Sequence, residues 1–175
     1  MAMRGGPLLL LLLLPRAGLA QTDPVGRLGL APAGEPGEPL IVAARLLDAQ
    51  GGPIAKTRVQ VAQADAQGYY ARTPGGRELG ASRARLAGWV RTDAQGRFTV
   101  ETIRPGEYPG GGPPAHIHFR VATADGRERE LTLYFEGRRL TPGARSQLEG
   151  SGAAFFCAPG RGRDAGDCAV ELRLP

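Results

Sequence analysis

Turns constrain this chain more than any other feature. The tetrapeptide Asp-Ala-Gln-Gly occurs three times, at 48–51, 65–68 and 93–96. Its spacings of 17 and 28 residues are unequal, so it is not a structural repeat. It reads as turn chemistry, in which an Asp carboxylate collects nearby backbone amides and Gly accepts a positive φ. Asp125-Gly126 marks a further hairpin. With 27 Gly and 15 Pro, turns are favoured over long helices.

Between the turns lie short runs with strand patterning. Pro39 to Asp48 is a largely apolar run that suits a buried strand. Thr57 to Asp65 alternates, with Val59 and Val61 on one face. Phe98, Val100 and Thr102 alternate with Thr99, Glu101 and Ile103. Ala115 to Thr123 puts Ile117, Phe119 and Val121 together, Leu131, Leu133 and Phe135 follow, and Val170, Leu172 and Leu174 close the chain. Frequent strands without a convincing amphipathic helix predict an all-β fold, a β-sandwich of short strands with long loops. The loops at 71–88 and 137–168 are the expected carriers of functional or disordered elements.

The N-terminus sets the compartment. Residues 1–20 carry Arg4, seven consecutive leucines from Leu8 to Leu14, and small residues at Gly18 and Ala20, the layout of a secretory signal. Seven apolar residues span about 10 Å as a helix against a hydrocarbon core of about 30 Å, so no stable membrane span is expected. Residues 21–38, rich in Gly, Pro and Ala, read as a linker, and 39–175 as one sandwich domain. Cys157 and Cys168 are the only thiols, and an even pair in an exported chain predicts a disulfide. The expected location is therefore periplasmic or secreted. Without the leader, 20 basic residues face 17 acidic ones, a balance of +3. No Lys/Arg run with interleaved aromatics occurs, which argues against nucleic-acid binding.

The chemistry gathers on four residues. The chain's two histidines stand as His116-Ile117-His118, and on a strand both imidazoles leave the same face while Ile117 and Phe119 enter the core. Thr102 to Pro109 ends a strand and presents Tyr108, and Asp65 to Tyr70 ends another with Tyr69 and Tyr70. Two phenols and two imidazoles at strand ends suit a hard, oxidised metal. Ferric iron is stabilised by anionic oxygen donors, whereas zinc usually takes His, Cys or carboxylate. Phenolate ligation also ties affinity to proton release.

From about Leu40 to Leu133 the chain resembles the intradiol ring-cleavage dioxygenases. The specific elements are Pro105-Gly-Glu-Tyr108 followed by Pro114-Ala-His-Ile-His118; the Asp48 to Pro53 turn and the Thr92 to Phe98 hairpin are common to many sandwiches. The resemblance implies a non-haem Fe(III) held by Tyr70, Tyr108, His116 and His118, with water or hydroxide as fifth ligand. Tyr69 competes with Tyr70 for the first position, and Tyr134 reads as packing. The implied partners are a small catechol-like aromatic substrate and O2. The catechol would bind as a dianion, with the hydroxide and one tyrosinate as bases, and the ring would open between the hydroxylated carbons.

The sequence departs from the family pattern in three places. An Arg is usual three residues before the first ligand His, where it offsets charge on the ring, and here the position is Pro113. Ala62 replaces an aromatic three residues before Asp65, and no helical domain precedes the sandwich. Arg85 and Arg91 flank Trp89 and are candidates for the missing cation. Arg91 is assigned the catalytic role if its strand lines the same cavity, the alternative being a surface Arg with a snorkelling stem. Two other readings stay open, a non-catalytic transthyretin-like sandwich and an iron-binding protein without turnover. Convergence of the two Tyr and two His is the feature that separates the sandwich-only reading.

Overall fold

The computed structural model describes residues 23–123, 126–159 and 168–174. The leader at 1–20, Asp125 and most of the late Gly/Arg-rich stretch lie outside them. Along the chain run β1 (Arg27–Gly29), β2 (Pro39–Leu47), β3 (Arg58–Gln63), β4 (Ala71–Arg72), β5 (Glu78–Leu79) and β6 (Leu86–Arg91). Then come β7 (Arg97–Ile103), β8 (His116–Ala122), β9 (Glu128–Tyr134), α1 (Pro142–Glu149), β10 (Ala154–Phe156), β11 (Ala158–Pro159) and β12 (Cys168–Arg173).

Two five-stranded sheets form the sandwich, in the orders β1-β7-β2-β12-β11 and β10-β9-β8-β3-β6, with β4 and β5 pairing as a small ribbon. Alternation dictates which residues meet between them. Val42, Leu46, Phe98, Val100 and Leu172 from the first sheet face Val59, Val61, Ile117, Phe119 and Leu133 from the second, and all are buried. Phe98 and Phe119 meet edge-to-face across the layer with ring centres 5.8 Å apart.

The three Asp-Ala-Gln-Gly segments make one and the same turn. Asp48 Oδ1 accepts from the amides of Gln50 and Gly52, Asp65 Oδ1 from Gln67 and Tyr69, and Asp93 Oδ1 from Gln95 and Arg97. Gly51, Gly68 and Gly96 take φ of +85°, +85° and +74°. Gly68 has a second duty: a Cβ there would collide with the Glu107 carbonyl. Its bare backbone lets the Tyr70 turn lie directly on the Tyr108 loop.

Two expectations need correction. Residues 21–38 are not a plain linker, because β1 pairs in parallel with β7 and buries Leu28 and Leu30 in the core. A three-residue strand is too short to register as alternation. The 137–168 stretch is not all loop either. It carries α1, begun by Thr141, whose Oγ1 accepts from the Ala144 amide at 3.2 Å, with Pro142 in the first turn. None of its residues is buried, so it shows no apolar stripe to read.

Cys157 and Cys168 are disulfide-bonded with Cα atoms 5.4 Å apart, inside the range a disulfide requires. The bond follows β10 of one sheet and opens β12 of the other. Closing so short a loop contributes about 2–3 kcal/mol.

Candidate metal centre

Each of the four aromatic residues is delivered by a different constraint. His116 and His118 sit on β8, an inner strand paired with β3 on one side and β9 on the other, so their spacing is fixed by the pleat. Tyr70 follows the Asp65 turn, and its carbonyl accepts from the Arg85 amide at 2.8 Å. Tyr108 ends the segment after β7. The Gly106 amide of that segment donates to the Asp65 carbonyl at 2.9 Å, which docks one tyrosine loop on the other.

Their polar atoms converge. Tyr70 Oη lies 3.3 Å from His116 Nε2 and 2.8 Å from His118 Nε2. Tyr108 Oη is 3.0 Å from His116 Nε2, the two Nε2 atoms are 3.0 Å apart, and the phenol oxygens touch each other. Separations near 3 Å are those of donors that share one central cation at about 2 Å each. Tyr70 and His116 are buried.

The outer ring nitrogens fix the tautomers. His116 Nδ1 donates to the Pro114 carbonyl at 2.7 Å, and His118 Nδ1 donates to Glu130 Oε1 at 3.1 Å. With Nδ1 as the donor, each neutral imidazole presents only a lone pair at Nε2. Burial lowers the His116 pKa to about 4 and lowers that of His118 as well. Burial also raises the Tyr70 pKa, helped by its contact with Tyr108, and raises that of Tyr108. The inward-facing atoms therefore share two phenol protons across five short contacts, and at least three contacts set lone pair against lone pair. A cation at the centre would resolve that conflict. Among the described residues no group of three His, Cys, Asp or Glu stands together to hold a metal, and a cation at this cluster would take phenol oxygens beside the two imidazoles. Hard ferric iron fits such a donor set.

Among the residues assigned from sequence, Tyr70, Tyr108, His116 and His118 come together. Tyr69 does not: its ring lies under the Arg72 guanidinium, 3.3 Å from Cζ to the ring centre. Tyr134 sits opposite His116 in the β8–β9 register, its ring 5.5 Å from the imidazole, and packs on Phe156.

The assignment of Arg91 to the site is corrected. It shares a sheet face with His118 but sits at the far end of β6, four residues beyond Ala87, which aligns with His118 through Ala62. That offset is about 13 Å along a strand. There Arg91 lies 3.7 Å from Asp23 and donates to the Lys56 carbonyl. Arg85 is clamped by Glu35 at 2.5 and 2.7 Å, and Arg104 donates to the Glu136 carbonyl. Arg120 lies between Glu128 and Glu130 at 3.7 and 3.5 Å. Glu130 and the Pro114 carbonyl are the functional groups that sequence reasoning missed, since only the β8–β9 register brings Glu130 to His118.

Among the described residues, two openings reach the cluster. A cleft of about 320 Å³ meets both phenols and is walled by Gly68, Tyr69, Leu79, Gly110 and Gly111. A smaller cavity of about 140 Å³ lies at His118, among Ala62, Ala87, Gln60 and Arg120.

The profile of the Dioxygenase family matches residues 18–148. The chain belongs to the intradiol ring-cleavage dioxygenases. The beta chain of protocatechuate 3,4-dioxygenase from Burkholderia cepacia is 39% identical over 115 residues, covering 61% of this chain and 49% of that protein. Catechol 1,2-dioxygenase from Acinetobacter baylyi is 33% identical over 112 residues, covering 55% of this chain and 35% of that protein. This dioxygenase-family chain thus spans half or less of the length of these relatives. Its fold is also that of the intradiol ring-cleavage dioxygenase from Tetranychus urticae (TM-score 0.65, 21% identity, 87% of each chain). The dioxygenase domain of a carbohydrate-binding fusion from Streptomyces sp. SirexAA-E agrees (TM-score 0.59, 23% identity, covering 87% of this chain and 89% of that one).

Proposed function

We propose that this chain is an exported dioxygenase that holds non-haem Fe(III) on Tyr70, Tyr108, His116 and His118 and opens a catechol-type ring between its hydroxylated carbons. The observation that carries the reading is the set of five short contacts served by only two protons. When bound, ferric iron supplies Lewis acidity and draws on a catechol dianion, which makes the ring reactive toward O2. The remaining work belongs to the protein. Tyr70 and Tyr108 would hold the ion as phenolates, so binding would release their protons, and a tyrosinate Oη would serve as the base for a catechol proton. His116 and His118 keep fixed orientations through the Pro114 carbonyl and Glu130. The cleft beside the phenols admits a flat ring, since Gly110 and Gly111 put no side chain into it. Both oxygen atoms of O2 end in the ring-opened diacid.

Export is supported by the leader pattern at 1–20 and by the Cys157–Cys168 bond. Recovery of mature protein beginning at Gln21 from the periplasm or medium tests it; retention of Met1 in the cytoplasm opposes it. Among the described residues no helix is long and apolar enough to cross a membrane.

One observation favours a second reading, iron binding without turnover. Pro113 stands where the family resemblance puts a cation, Arg85, Arg91 and Arg104 are engaged away from the phenols, and Arg120 is paired with Glu128 and Glu130. Losing such a stabiliser costs about 100- to 1000-fold in rate. Catechol-dependent oxygen uptake by iron-loaded protein decides between the two. Uptake with one O2 per ring supports the dioxygenase, and iron without uptake on any catechol supports the binding protein.

A further inference from the structure

We infer that Glu130 is a positioning residue that sets the charge character of the His118 ligand and thereby favours ferric over ferrous iron. The inference rests on the iron reading above. The two imidazoles differ in what they donate to. His116 Nδ1 meets a neutral carbonyl at 2.7 Å, whereas His118 Nδ1 meets a carboxylate at 3.1 Å. A carboxylate that accepts the outer N–H draws the proton toward itself and makes the inner nitrogen a stronger donor. That gain is larger for the more highly charged ion, because the attraction scales with charge.

The carboxylate is itself held. Glu130 Oε2 lies 3.5 Å from Arg120, and Arg120 also reaches Glu128 at 3.7 Å and donates to Gln60 Oε1 at 3.3 Å. Arg120 and Glu130 are direct partners in the β8–β9 register, so sheet pairing rather than loop geometry sets this row. Glu128 flanks the same arginine without the contact to His118 that Glu130 makes. The pair thus offers a built-in control, with equal charge and a different connection to the site.

The experiment compares Glu130→Gln, Glu128→Gln and Arg120→Gln in iron-loaded full-length protein by redox titration and by chelator competition for Fe(III) and Fe(II). Glu130→Gln keeps an oxygen acceptor and removes only the charge, and half the Glu130 side chain faces solvent, so folding is preserved. Its ferric affinity is expected to fall about 10-fold and its ferrous affinity about 5-fold, in the 3:2 ratio of the two charges. The two-fold difference between the losses raises the Fe(III)/Fe(II) midpoint by about 20 mV, at about 59 mV per tenfold. Glu128→Gln should move it much less, and Arg120→Gln should move it the other way. The thermal midpoint of metal-free Glu130→Gln should match wild type, which a purely structural role would not give. Equal shifts in Glu130→Gln and Glu128→Gln, or none, overturn the inference while leaving the iron site intact. Wild-type protein that takes up no iron overturns the site reading and this inference together.

Discussion

The sheet face that bears the histidines has two ends with opposite chemistry. At one end Tyr70, Tyr108, His116 and His118 are covered by two tyrosine loops, and the groups are neutral and crowded. At the other, Arg58 and Arg91 are direct cross-strand partners, both reaching Asp23 at 2.8 and 3.7 Å, and Arg58 lies over Trp89 at 3.7 Å. The side-chain parity is the same at both ends. What differs is the cover: turns that pack backbone on backbone bury one end, and open solvent screens the other. Burial leaves polar atoms dependent on fixed partners; exposure lets charges pair loosely at little gain.

The largest effect that sharpens this contrast is loss of a ligand. His116→Ala should lower ferric affinity by more than about 100-fold, beyond the ~10- to 100-fold that outer partners cost. Chelator competition measures it, and an affinity within ten-fold of wild type would break the contrast.

The cover itself comes next. Gly51 and Gly68 occupy the same turn at φ +85°, yet a Cβ meets nothing at Gly51 and the Glu107 carbonyl at Gly68. Gly51→Ala should cost about 1 kcal/mol and Gly68→Ala about 2–4 kcal/mol in urea unfolding, with weaker iron uptake only in the second. Equal costs would mean that loop packing does not build the site.

Acid probes the buried end. The folded protein holds the His116 pKa at about 4, below its ordinary 6.5, chiefly through burial. Between those values the unfolded chain binds more protons, so stability is full above pH 6.5 and is lost as pH falls toward 4. The loss is on the order of 3 kcal/mol in metal-free protein. Urea titrations at pH 7 and pH 4.5 should show it in wild type and show less of it in His116→Asn. Identical pH dependence in the two proteins would contradict the burial argument.

The smallest effect belongs to the charged end. Arg91→Ala should leave iron content and oxygen uptake within two-fold of wild type and change stability by less than about 1 kcal/mol. A large loss of uptake with full iron would restore Arg91 to the site.

Much of this molecule was legible in its residues. The long strands β3, β7, β8 and β9 follow from alternation, β2 follows from its apolar run, and the three Asp turns follow from side-chain chemistry. The His-x-His pair and the Pro-Gly-x-Tyr loop fall within the cluster, where Tyr70 lies 2.8 Å from His118 while Tyr69 lies under Arg72. What failed to show was register. Alternation puts Arg91 on the His118 face but says nothing about distance along the strand, and it cannot pair Glu130 with His118 across β8 and β9. Strand β1 and helix α1 escaped because one is three residues long and the other buries no face.

The central claim, that crowded phenols and imidazoles exist to hold a ferric ion, is tested most directly by the visible spectrum of iron-loaded protein, compared with Tyr70→Phe and Tyr108→Phe. A red-brown tyrosinate-to-iron charge-transfer band with one iron per chain, diminished in each variant, is the predicted result. Colourless protein, or a band indifferent to both substitutions, would contradict it.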